Sequence, residues 1–155
     1  MNIEKSISVE TNFMRDWNAH LFSVAGKKWL IFVNKQTLYS FIIIDVLKKD
    51  LKNLSLYFTD MLINQLDREN ILTPEFENYL REYDQIANIC TTDNDRKTMG
   101  SLNDFIYHTK ACYEDEKNVE KAKNYALKYL NEMPSKVLKY KTPREVMKEY
   151  IKNYR

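Results

Sequence analysis

A chain of 155 residues, 44% hydrophobic and 13% aromatic, has the size and composition of one globular domain able to bury roughly 70% of its unfolded surface, which excludes a disordered or fibrous protein. Its net charge of +2 hides a split: residues 117–155 hold eleven Lys/Arg against four Glu, a balance of +7, so residues 1–116 carry −5. Such a split speaks to partners rather than to fold.

The start, Met1-Asn2-Ile3-Glu4-Lys5-Ser6, lacks the basic and apolar regions of a signal peptide. Apolar runs such as Phe41-Ile42-Ile43-Ile44 are far short of the ~20 residues that span a bilayer. Cys90 and Cys112 have neither zinc-site nor disulfide spacing. A cytoplasmic protein with reduced thiols, no membrane contact, no metal and no cofactor is the expectation.

Residues 1–14 show no periodicity and read as a loose N-terminal arm of a single domain spanning 1–155. Three β-type runs follow: Ala19–Val24, ending at the turn group Ala25-Gly26-Lys27; Lys28–Val33, ending at Asn34-Lys35; and Thr37–Ile44, ending at Asp45. Short loops between β-branched and aromatic runs predict an antiparallel meander. Leu51, Leu54, Phe58, Met61, Leu62 and Leu66 have helical spacing after the N-cap candidate Asp50, and Asp67-Arg68-Glu69-Asn70 closes that helix. Thr73-Pro74-Glu75 opens another, with Pro at its first position. Ile86–Thr91 suggests a fourth strand. A helix from about Asp95 to Glu114 buries Met99, Leu102, Ile106 and Tyr113. Another from Val119 to Met133 buries Val119, Ala122, Ala126, Leu130 and Met133. An extended Lys136–Lys141 segment then leads to Thr142-Pro143-Arg144-Glu145, a capping box that starts the last helix. The fold class is α+β: a three- or four-stranded antiparallel sheet with about five helices mainly on one side and a basic helical part over residues 117–155.

The stretch from Thr91 to Asp104 holds one of the chain's two glycines in a polar run where a helix starts. Cap residues such as Thr92 and Asn94, free amides at the helix start and the charge of Arg96 would suit an anion, although every helix needs such caps for its own amides. Gly100 inside a helix costs ~1 kcal/mol relative to alanine. Close approach of another backbone is the first explanation for it, and a ligand over that face is the second. Asn103 and Asp104 are poor helix formers. Asp104 and His108 lie four apart, within reach of each other, in the manner of a carboxylate orienting an imidazole for general-base catalysis; Ser101 and Cys112 are the nearest nucleophile candidates. Gly100, Asp104 and His108 share one helix face. His20 faces the same region or stacks on Trp17 or Trp29.

Lysines interleaved with tyrosines mark the C-terminal part: Lys121, Lys128, Lys139, Lys141, Arg144 and Lys148 beside Tyr125, Tyr129, Tyr140 and Tyr150. That pattern suits phosphates and stacked bases, or a protein partner, and equally an ordinary solvated face. Lysines outnumber arginines 18 to 6, which does not favour base-specific reading.

Trp17-x-Ala19-x-Leu21-Phe22, Lys27-Lys28-x-x-Ile31-Phe32-x-Asn34-x-x-Thr37 and Arg96-x-x-x-Gly100-Ser101-x-Asn103-Asp104 together resemble a family of small bacterial proteins defined as a domain of unknown function. The likeness runs from about Trp17 to His108. It suggests a plasmid- or phage-borne gene and implies no activity, cofactor or catalytic residue. Two readings therefore stand: a non-catalytic binding or regulatory module for nucleic acid or protein, or a small enzyme for a phosphate-containing or acyl substrate at Arg96, Gly100, Asp104 and His108. Pairing of the acidic helices with the basic tail between copies would make a homo-oligomer.

Overall fold

Ala25 and Gly26 decide where the sheet first folds back. Both adopt the left-handed backbone, with φ of 55° and 78°, as a two-residue hairpin requires if its turn is to follow the twist of the strands. They join β1 (Asp16–Val24) to β2 (Lys27–Asn34) in antiparallel register from Val24↔Lys27 to Trp17↔Asn34. The computed structural model describes residues 16–82, 88–91 and 96–154; the N-terminal arm expected over residues 1–14 lies outside them.

At the far end of β2 the chain turns on Asn34. Its side-chain oxygen accepts from the amides of Gln36 and Thr37, both at 3.0 Å, and from the Thr37 hydroxyl at 3.1 Å. An Asx-type turn of this kind explains the Asn34-x-x-Thr37 spacing. It also consumes Thr37–Tyr39, so β3 is Ser40–Ile43 and not the longer run from Thr37. β3 pairs antiparallel with β2, completing the meander. β4 (Asn88–Thr91) lies at the other edge and pairs with β1 in parallel, giving the order β3-β2-β1-β4. Intervening helices carry the chain back across the sheet before β4, as a parallel neighbour requires.

Helices cover both faces of the sheet, a correction to the one-sided packing expected. The reason lies in β2, which is apolar at every position from Trp29 to Val33 and therefore has two faces to bury. On one face Trp17, Leu30, Phe32 and Phe41 pack with α2 (Leu54–Arg68), α3 (Pro74–Glu82) and α6 (Pro143–Asn153). Aromatic rings dominate there: Phe32 and Phe41 stack at 4.7 Å, and Trp17 meets Phe58 edge-on at 5.3 Å, a geometry that adds to simple area burial. On the other face Phe22, Trp29, Ile31, Val33 and Ile42 pack with α4 (Arg96–Glu116) and α5 (Val119–Tyr129). His20 sits opposite Ile31 in the register and is half-buried; its ring makes no stacking contact with Trp17 or Trp29 among the described residues.

Helix ends follow their local chemistry. The capping box at α6 is complete: the Glu145 amide donates to Thr142 Oγ1 at 3.1 Å and the Thr142 amide to Glu145 Oε1 at 3.2 Å, with Pro143 at the first position. Asn118 caps α5 by accepting from the Lys121 amide. Asp50 lies inside a short α1 (Lys48–Lys52), and α2 begins after Asn53 instead. The segment Lys136–Lys141, expected to be extended, is a tight loop. Lys136–Leu138 forms a 3-10 turn, Lys139 and Tyr140 are left-handed (φ 56° and 66°), and a Ser135–Lys141 bridge closes the base. No helix among the described residues is long and apolar enough to cross a membrane.

Candidate functional site

α4 lies over the sheet on the buried side chains of Leu102 and Phe105. Their spacing leaves Gly100 and Asp104, one turn apart, along the helix edge. That edge borders a cleft of ≈ 310 Å³ whose floor is Ile31, Val33 and Leu38 and whose far wall is Leu130, Met133 and Pro143. Ser135, Lys136 and Val137 of the tight loop form its rim. A methyl group added at Gly100 would meet, among the described residues, no atom within 4 Å beyond its own helix backbone and chain neighbours. Close backbone approach is therefore not what the glycine serves; its missing side chain leaves the cleft open.

The other residues of that stretch divide. Asp104 is exposed and lines the cleft, while Asn103 is exposed beside it. His108, one turn further, is exposed outside the cleft lining, and its ring stands edge-on to Tyr107 at 5.4 Å. No hydrogen bond joins Asp104 to His108 among the described residues. On a solvated helix face water competes with such a pair, so the imagined dyad is not assembled. Thr92 and Asn94 lie outside the described residues. Arg96 opens α4 and Ser101 follows Gly100 in it, but their side chains also lie outside what is described. The thiol of Cys112 reaches the Lys121 carbonyl at 3.8 Å. No group of three or more His, Cys, Asp or Glu suited to a metal occurs among the described residues.

The C-terminal cations are scattered. Lys121 and Lys128 lie on α5, whose Ala122 and Ala126 bury against one face of the sheet. Arg144 and Lys148 lie on α6, whose Met147 and Ile151 bury against the opposite face. Lys121 pairs with Glu116 at 2.9 Å, Lys141 with Glu149 at 3.4 Å, and the Lys128 ammonium stands 5.2 Å over the Tyr129 ring. Lys139 and Lys148 are exposed. Arg144 is an internal tie: its Nη2 donates to the Glu69 carbonyl at 2.8 Å and its Nε lies 3.8 Å from Glu132.

A buried polar network adjoining the cleft escapes sequence reading. Asn131 accepts from the Ser40 amide at 2.8 Å and donates to the Ser40 carbonyl at 2.9 Å and to Glu69 Oε2 at 2.8 Å. Gln65 donates to the same Glu69 oxygen at 2.5 Å. The Tyr39 hydroxyl is directed at the Glu69 carboxylate, yet neither it nor Glu69 Oε1 completes a well-aligned hydrogen bond. Burial pushes the Glu69 carboxyl above its ordinary range against the pull of its donors. Burial, with the neighbouring carboxylate second, raises the Tyr39 phenol far above its own. The one sequence signal was Asn131 itself, an amide inside the apolar spacing of Leu130 and Met133.

The Asn34 turn, the Trp17 core position and the open face at Gly100 give structural content to the three motifs that suggested a family. A family model described as a domain of unknown function, DUF6933, matches residues 1–146, and the chain belongs to that family. No curated protein and no solved structure matches it.

Proposed function

We propose that this member of a family of unknown function is a non-catalytic binding module, and that the Gly100 cleft receives an apolar side chain of a protein partner. The observation that carries the reading is the open space over Gly100. A mid-helix glycine costs ~1 kcal/mol, and among the described residues no packed neighbour offsets it. Most residues lining the cleft are apolar, with Ser40, Asp104, Ser135 and Lys136 as its polar side chains, a combination that can take an apolar body and fix its orientation. Val137 at the rim, 53% accessible, extends the apolar surface outward, and the loop lysines favour anionic groups beside the anchor.

A protein is favoured over nucleic acid because phosphate binding sums many cations on one surface. The C-terminal cations are divided between the two helical layers and partly taken up by carboxylates. No observation favours the enzyme reading over this one.

Anilinonaphthalene sulfonate, an apolar body bearing one anion, is a direct probe. Saturable fluorescence enhancement is expected, abolished by Gly100→Leu and weakened by Lys136→Glu, with both variants retaining native circular dichroism. Enhancement that survives Gly100→Leu would remove the cleft as the site. Binding of a DNA or RNA oligomer much tighter than millimolar at about 50 mM salt, falling steeply as salt rises, would return the function to the basic residues.

A further inference from the structure

A second groove, sharing no lining residue with the first, runs along the outer edge of β3. Its floor is Phe41, Ile42 and Ile44; α2 supplies Met61, Asn64, Gln65 and Arg68 on one side, and α5 supplies Lys123 and Leu127 on the other. The volume is ≈ 180 Å³. Sheet order makes β3 an edge strand, so half its backbone groups point away from β2. Which half is fixed by the ladder. The Asn34 amide donates to the Tyr39 carbonyl at 2.9 Å, which makes Asn34 and Tyr39 a hydrogen-bonded pair. Antiparallel ladders alternate, so Ser40 and Ile42 direct their amides and carbonyls outward.

Ser40 is already satisfied, because the Asn131 carboxamide takes both of its groups as a neighbouring strand would. Ile42 is the next outward-facing residue, and it lies in the groove between a guanidinium and an ammonium. Arg68 reaches Gln65 Oε1 at 3.2 Å; neither Arg68 nor Lys123 forms an ion pair with a carboxylate, and no carboxylate lines the groove, among the described residues.

We propose that this edge is a β-augmentation site for an extended acidic segment of a partner protein. The segment's main chain would pair with Ile42, and its carboxylates would meet Arg68 and Lys123. Main-chain pairing gives such a mode its affinity and the flanking side chains give it selectivity. A second copy of this chain is a poor occupant: two β3 edges meeting antiparallel would set each Arg68–Lys123 pair against its like, a repulsion that sheet edges use to avoid self-pairing. Ile42 is 5% exposed, so pairing requires the long side chains of Arg68 and Lys123 to swing outward, which snorkelling cations do readily.

The test uses the full chain and two blocked hexapeptides, one alternating Glu with Val and one alternating Lys with Val. The Glu peptide is expected to bind, the Lys peptide is not, and the double variant Arg68→Glu, Lys123→Glu should lose about tenfold or more in affinity. Both replaced side chains are polar and line an open groove, so the fold should survive. Hydrogen exchange followed by NMR supplies the backbone readout: on adding the Glu peptide the Ile42 amide slows, while the Phe41 amide, already in the ladder, does not change. Equal binding of both peptides, undiminished binding to the double variant, or an Ile42 amide that does not slow would overturn the proposal. So would sedimentation showing that the protein alone dimerises and protects Ile42, since the occupant would then be a second copy.

Discussion

Asn131 grips Ser40 by both of its backbone groups, across 91 residues of sequence. One carboxamide here performs the work of a paired strand residue, and its remaining N–H holds Glu69. Replacing it with alanine would leave a buried amide, a buried carbonyl and a carboxylate oxygen each short of a partner, at ~1–3 kcal/mol per group before relaxation. Asn131→Ala is therefore expected to destabilise the fold by about 2–4 kcal/mol, a fall of roughly 5–15 °C in melting temperature for a chain of this size. Thermal melts followed by circular dichroism measure it. A loss below about 1 kcal/mol would mean that water replaces the clamp.

Glu69 gives the fold a pH dependence whose sign follows from the direction of its shift. Its folded carboxyl holds a proton more tightly than the ordinary value of 4.5, chiefly through burial. The folded state then binds more protons than the unfolded state above that value. Glu69 therefore opposes folding increasingly as pH rises from the unfolded value through the raised folded one. Glu69→Gln keeps an oxygen for Asn131 and Gln65 and removes the charge. Urea titrations across pH should show the variant gaining on the parent as pH rises above the ordinary carboxylate range. Parallel pH profiles for the two proteins would contradict the assignment.

Gly100→Ala separates the two explanations for a mid-helix glycine. With no described atom beyond its own helix backbone and chain neighbours within 4 Å of the added carbon, alanine is expected to stabilise α4 by about 0.5–1 kcal/mol. Equilibrium denaturation decides it. A destabilised variant would mean that something does pack against that face in solution.

Features set by neighbours in sequence are legible in the sequence alone. The Thr142-Pro143-Arg144-Glu145 cap, the Ala25-Gly26 turn and the apolar periodicity of α2 each depend on residues within a few positions, and each is present. Features that need distant partners are not. The parallel pairing of β4 depends on where the intervening helices deliver the chain. The lysine segment Lys136–Lys141 carries no Gly or Pro to announce two consecutive left-handed residues. Glu69 stands in the polar run that closes a helix, and nothing local shows that it turns inward to meet Asn131. At the cleft, Gly100 and Asp104 were legible as oddities of composition. The loop that completes the rim was not, because its approach to α4 is tertiary.

The two tryptophans gain a use from their placement. Both are inaccessible to solvent, Trp17 in the layer with α2, α3 and α6, and Trp29 in the layer with α4 and α5. The molecule thus carries one tryptophan, which can be excited apart from its tyrosines, in each half of its interior, separated by a single sheet. With either ring replaced by phenylalanine, the emission of the other reports on its own half alone. Whether the two halves melt together or in succession can then be observed without attaching any label.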